Sequence, residues 1–355
     1  MRRTCLTAVM ALLTAHGLSA PLAAQDKPLK EVTLMQAHPT VALGEDVFLY
    51  AVPLKMGWFA EEGIKLNLTG ARGGSLSAQV LQSGDAQIAS TDPAVIMSVR
   101  EKGGSIKGFF ALKRQPGYAL ATLKNAPVRK IEDLKGKIIG VQSLSSGVVP
   151  IIRGMMKDLG QSEGDYTLVA VGLGAQAASA LVTKRIDALA LWEAAFAAVE
   201  NASVEMDYVE FPVIPKLAAF VLATTDSYLK SNPDVVAGVC RAIAKGIVFS
   251  LANPEAAVRI FNEVHPETKP SDPSPKAFKD DVNVFRKWLA NGTGQDGSRP
   301  IGELYPEKWA FTIEYQKEAG RLSAPKPAAD HYDLSFLPKC NDFDRDKVAA
   351  QARAM

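Results

Sequence analysis

Ile131-Glu-Asp-Leu-Lys-Gly-Lys-Ile-Ile-Gly-Val141, continued by Ser143-Leu-Ser-Ser-Gly-Val-Val-Pro150, decides the fold. An apolar strand ends in small polar residues, and an apolar-periodic helical run follows. The next strand, Thr167-Leu-Val-Ala-Val171, leads into an Ala-rich helix from about Ala175. Arg185-Ile-Asp-Ala-Leu-Ala-Leu-Trp-Glu193 then repeats the strand-to-helix hand-over. Strands alternating with helices argue for βαβ units and a largely parallel sheet. In such sheets the connections beyond the strand C-termini hold ligands.

Working outward, the same alternation precedes this block, with strands expected at Val32–Met35, Ile64–Leu68, Ala86–Ala89 and Lys107–Leu112. Thr122–Pro127 is expected to carry the chain to a second lobe. That lobe has strands at Ile138–Val141, Thr167–Val171, Ala188–Leu191 and Tyr208–Glu210. Ala218–Thr224 reads as the return strand. Asn232-Pro and Asn253-Pro are helix starts, because Pro suits the first helical turn. At 355 residues the chain exceeds the usual size of one core, so two lobes are expected.

The ordered set resembles periplasmic substrate-binding proteins of the sulfonate, taurine, nitrate and thiamine-pyrimidine type. Besides the block above, the resemblance is carried by Leu54-Lys-Met-Gly-Trp-Phe-Ala-Glu-Glu-Gly-Ile-Lys-Leu66, Gly73-Gly-Ser75, Val80-Leu-Gln-Ser-Gly-Asp-Ala-Gln-Ile-Ala89 and Ser90-Thr-Asp-Pro-Ala94, over roughly residues 30–330. It implies an α/β, two-lobed periplasmic-binding-protein-like fold of type II, each lobe a mostly parallel sheet flanked by helices, with the ligand cleft between them. The expected division is a signal peptide over 1–24, lobe I over 25–120 and 219–330, lobe II over 121–218, and a tail over 331–355. The tail is expected to lie across lobe I through Leu334, Phe336 and Leu337 and to fray at its end.

Met1-Arg-Arg, an apolar run from Leu6 to Leu18 and small residues from Ala20 to Ala24 describe a cleaved secretory leader. Cleavage is placed near Ala24, with Ala20 and Ala23 as alternatives. Cys5 precedes the apolar run, so no lipidation site follows it, and no later segment reads as a membrane span. Loss of Arg2 and Arg3 leaves 38 basic against 38 acidic residues. That balance gives no reason to expect nucleic acid or an acidic membrane surface as a partner. Cys240 and Cys340 then form a disulfide, which an oxidising compartment permits, or stay as two buried thiols.

Six connections are expected to line the cleft. Ser145, Ser146 and Gly147 sit where a helix N-terminus offers unsatisfied N–H groups to an anion; a plain helix cap is the competing reading. Ser90, Thr91 and Asp92 face them from lobe I, with the two hydroxyls as the stronger contacts and Asp92-Pro93 first of all a helix start. Trp192 offers a ring face and Glu193 an acceptor, against the alternative of a core Trp and a first-turn acid. Many relatives carry Pro after this pair, whereas this chain has Ala194. Arg72 and Arg114 are candidate carboxylate partners. His38 adjoins the cleft, and Glu45-Asp46 is read as a helix start with Asp46 a weaker contact.

Gly172-Leu-Gly174 lacks the third glycine and the distal acid of a dinucleotide fingerprint, and neither a phosphate-binding loop nor a G-x-S-x-G elbow occurs. The histidines are scattered, so no catalytic residue, metal site or cofactor is expected. The first function is an extracytoplasmic solute receptor, monomeric, for a small organic anion or an aromatic compound: a sulfonate, an aromatic carboxylate or a thiamine pyrimidine precursor. Its partner would be an inner-membrane ABC permease with a cytoplasmic ATPase. The alternatives are a pyrimidine-synthase-like enzyme of thiamine biosynthesis, whose Cys-rich motif is lacking here, and a periplasmic sensor subunit.

Overall fold

A computed structural model describes residues 28–144, 146–209, 211–269, 273–295, 297 and 299–355. The expected leader over 1–24 and Ser145 lie outside the described residues. The chain lays down β1 (Lys30–Gln36), β2 (Ile64–Gly70), β3 (Ile88–Thr91), β4 (Ile106–Ala111), β5 (Tyr118–Leu123), β6 (Ile138–Val141), β7 (Thr167–Ala170), β8 (Ala188–Trp192), β9 (Met206–Val209) and β10 (Val221–Thr225). They form two five-stranded sheets, ordered β2-β1-β3-β10-β4 and β7-β6-β8-β5-β9. In each sheet one strand runs against its neighbours: β10 in the first and β5 in the second. The architecture is thus α/β with two mixed, mostly parallel sheets flanked by helices.

The antiparallel strands are the ones that return from the other sheet. Leaving β4, the chain has changed sheets by Tyr118. It comes back between Val209 and Val221, and the two crossings run side by side where the Leu112 amide donates to the Phe220 carbonyl at 2.9 Å. The expected crossing segment Thr122–Pro127 therefore lies too late, since Thr122 is already buried in β5. Tyr-Ala-Leu-Ala-Thr-Leu is short and lacks the β-branched density of its neighbours, which hid it.

The larger core packs the first sheet against helix Pro233–Ala252. Contrary to expectation, this helix is long and apolar enough to cross a membrane, but most of it is buried among side chains such as Phe48 and Trp58. Phe48 sits in the π-helical turn Val47–Ala51, just before Pro53, which has no N–H for the i−4 bond that a continuous α-helix would make back to Leu49.

The tail closes over this core. Cys240 and Cys340 form a disulfide with Cα atoms 5.1 Å apart. Phe336 packs edge-on to Phe109, whereas Leu334, expected to help, is exposed. The end does not fray: helix Arg345–Arg353 buries Val348 and Ala352, and Asn253 Nδ2 donates to the Ala352 carbonyl at 2.9 Å. A cross-link enclosing so long a loop contributes about 2–5 kcal/mol. Cys340→Ser is expected to lower the unfolding free energy by that amount and to speed proteolysis of the last helix. Denaturant melts and limited digestion check it, and unchanged stability would mean that Phe336 and Ala352 hold the tail alone.

Candidate binding cleft

Strand direction brings one end of each sheet to a common groove. β1 delivers His38 there, β3 delivers Asp92, β4 Lys113, β6 the turn Ser146-Gly147, and β8 Trp192-Glu193. Because β5 is antiparallel, its first residue reaches the same edge, with Tyr118 directly opposite Trp192 across the ladder. The glycines here are steric requirements. A Cβ on Gly117 would lie 1.6 Å from Glu193 Oε2, and one on Gly147 would lie 2.5 Å from the Tyr118 hydroxyl. The Glu193 amide donates to the Gly117 carbonyl at 3.1 Å, which fixes the helix start against the crossing.

The charges form one connected cluster. Lys113, nearly buried, pairs with Glu193 Oε1 and lies 4.6 Å above the centre of the Trp288 ring. Glu193 Oε2 is buried and accepts no hydrogen bond among the described residues. The Asp92 carboxylate is open to the groove and accepts no hydrogen bond from the described residues. Protein on both sides nevertheless desolvates it, and with the charge of Glu45 raises it to about 6 against the opposing pull of Lys113. Desolvation, then Asp92 and Glu193, push the Tyr118 phenol far above its ordinary range.

At the lip of lobe I, His38 Nδ1 meets the Thr40 carbonyl at 2.7 Å, and Nε2 meets Glu45 Oε1 at 3.3 Å and Asp46 Oδ1 at 3.8 Å. Burial alone would lower the imidazole, but the hydrogen bond and charge of Glu45, with Asp46, raise it to about 9. Burial raises Asp46 to about 7, although His38 and the Ala42 amide favour its ionised form. Among the described residues its Oδ1 accepts no hydrogen bond, and neither does the buried Oε1 of Gln36 at the end of β1.

The expected contacts divide into two groups. Asp92, Trp192, Glu193, His38, Asp46, Ser146 and Gly147 lie at these strand ends. Trp192 is half-buried and touches apolar clusters belonging to both sheets. Gly147 caps helix Val148–Asp158, and no side chain of the described residues caps it.

The other group is Ser90, Thr91, Arg114 and Arg72, of which the first three are engaged elsewhere. Ser90 and Thr91, favoured over Asp92 from sequence, are the buried last residues of β3. Ser90 Oγ accepts from the Ala37 amide at 3.1 Å, and Thr91 Oγ1 donates to the Gly74 carbonyl at 3.1 Å. Arg114 turns away and donates to the Ala290 carbonyl at 2.7 Å. Arg72 is exposed and makes no ion pair among the described residues. Sequence reasoning missed Lys113, Tyr118, Gln36 and Trp288. A lysine closing the apolar run Phe109-Phe-Ala-Leu112 was a legible signal for the first; Trp288, far off in helix Pro275–Ala290, offered none.

A family model described as "NMT1/THI5 like" matches residues 47–257, which include every strand but β1 and most of the groove. The chain belongs to the NMT1/THI5-like family.

Two relatives are similar along nearly their whole length. The riboflavin-binding protein RibY of Chloroflexus aurantiacus is 24% identical over 333 residues, 91% of each chain. The formylaminopyrimidine-binding protein of Halalkalibacterium halodurans is 23% identical over 332 residues, 91% of this chain and 96% of its own. A third, the 4-amino-5-hydroxymethyl-2-methylpyrimidine phosphate synthase of Aspergillus parasiticus, is 24% identical over 302 residues, 78% and 80% of the two chains. Among solved structures, the periplasmic aliphatic sulphonate binding protein SsuA of Escherichia coli superposes with a TM-score of 0.64 at 13% identity, covering 86% of this chain and 92% of that one. The fold is therefore that of periplasmic binding proteins.

A histidine whose proton is held more tightly in the folded state contributes stability that is complete below its unfolded value and lost as pH rises through the folded one. For His38 that window runs from about 6.5 to about 9. An NMR titration is expected to place its ring midpoint near 9, with a falling melting temperature over the same range; a midpoint at or below 6.5 would show that Glu45 and Asp46 do not hold the proton.

Proposed function

We propose that this protein is a monomeric, extracytoplasmic solute receptor of an ABC-type importer, exported to the periplasm through a cleaved leader. It passes its ligand to an inner-membrane permease driven by a cytoplasmic ATPase. The ligand is a small aromatic or heteroaromatic molecule that donates hydrogen bonds.

The observation that carries this reading is the unsatisfied Glu193 Oε2, buried at the groove between the sheets. A buried acceptor without a partner costs about 1–3 kcal/mol, more when charged, and a ligand N–H or O–H relieves that cost. Asp46 Oδ1 and Gln36 Oε1 are further buried acceptors without a hydrogen bond among the described residues, and the Asp92 carboxylate opens onto the groove. Sulfonates and aromatic carboxylates, expected from the serines and arginines, fit less well, because Ser90 and Thr91 are engaged with backbone and Arg114 turns away. The names of the two full-length relatives, which specify a flavin and a pyrimidine, support a heteroaromatic ligand.

The receptor reading is preferred over the synthase reading because the chain has no cysteine-rich segment. Its cysteines are Cys5 and the bonded pair Cys240–Cys340, and that disulfide suits an oxidising compartment.

Calorimetry against amino-substituted pyrimidines, flavins and alkanesulfonates tests the proposal. A donor-bearing heteroaromatic compound is expected to bind, and Glu193→Gln to weaken it about tenfold or more, as for one hydrogen bond to a charged acceptor. Binding of sulfonates alone, or an unchanged affinity in the variant, contradicts it.

A further inference from the structure

We infer that the cleft selects a ligand carrying a positive charge on its aromatic ring, held between the Tyr118–Trp192 pair and the Asp92 carboxylate. This rests on the receptor reading and narrows it.

The charges at the groove do not balance. Four carboxylates, Glu45, Asp46, Asp92 and Glu193, meet two bases, His38 and Lys113. Both bases are engaged. His38 lies between Glu45 and Asp46, and Lys113 lies between Glu193 and the Trp288 face. Asp92 is left with no ion pair and no hydrogen bond from the described residues, although it opens onto the groove. Arg72 does not compensate it: the nearby Gly74 abuts Asp92, but the charges acting on that carboxylate are those of Glu45 and Lys113.

Tyr118 and Trp192 face each other across antiparallel strands, so their side chains project from the same side of the sheet. Asp92 follows β3 at the same groove, near enough for its charge to act on the Tyr118 phenol. An aromatic face beside a desolvated carboxylate attracts a cation through both the ring quadrupole and the charge. Trp288 already holds Lys113 in this way within the same cluster. A neutral ring would fill the slot without compensating Asp92, and an anion would add to the excess.

Four ring systems (pyridine, pyrimidine, quinoline and isoquinoline) are titrated calorimetrically at pH 8, each as the neutral base and as the N-methylated cation, with naphthalene-1-sulfonate as the anion. Permanent charge removes any contribution from ligand protonation. The cations are expected to bind at least about tenfold more tightly than their neutral partners. Asp92→Asn should bring the ratio towards one, and Glu45→Gln, which does not alter Asp92 itself, should shrink it. Melting curves of both variants establish that they fold. Neutral rings that bind as well as cations, a tighter sulfonate, or a ratio indifferent to Asp92→Asn would overturn the inference and leave an aromatic-binding receptor. Failure of every aromatic compound to bind, the donor-bearing pyrimidines and flavins of the receptor test included, would overturn both.

Discussion

The ion pair between Lys113 and Glu193 joins the end of the first sheet to the first turn of a helix in the second, and the groove is arranged around it. Lys113 cannot leave easily, because the Trp288 ring packs over its ammonium group and little of the side chain reaches water. Glu193 is equally constrained, since its amide is tied to Gly117 and only a glycine there leaves room for its carboxylate. Removing one partner of a buried pair leaves an uncompensated charge and is strongly destabilising. The pair therefore fixes where the first crossing meets the second lobe, and with it the positions of Tyr118 and Trp192.

One consequence is an asymmetry in what the groove offers. Glu193 uses one oxygen on Lys113 and keeps the other, and Asp92 keeps both. The donors that sequence placed beside them are bound to backbone: the Ser90 and Thr91 hydroxyls stabilise the loops after β1 and β2. A relative of similar fold is named for a sulphonate, and two others are named for a flavin and a pyrimidine. In such folds specificity is expected to reside in the connections rather than in the sheets.

Much of the fold was legible because strand and helix periods alternate cleanly from Glu31 onward and Asn-Pro pairs mark the starts of the long helices. β5 was not legible, since six residues rich in alanine carry little strand signal and their role comes from lying between β8 and β9. The groove was legible at Trp192-Glu193 and Asp92, which lie at strand ends. Three features were hidden for different reasons. Ser90 and Thr91 looked like loop residues because β3 extends two residues further than the apolar pattern. The partner of Lys113 is 80 residues away, and only the folded chain shows that Trp288 covers it. The excess of acceptors is a property of which hydrogen bonds remain unmade, and no sequence motif encodes that.

A single ligand held jointly by the ends of both sheets would order both of them at once. Hydrogen exchange followed by mass spectrometry, with and without a heteroaromatic compound that binds, tests it most directly. Added protection is expected together at 90–93, 113–118, 146–149 and 192–195, as the ligand shifts the population towards a state touching both lobes. Protection confined to one sheet, or appearing only outside these segments, would contradict it.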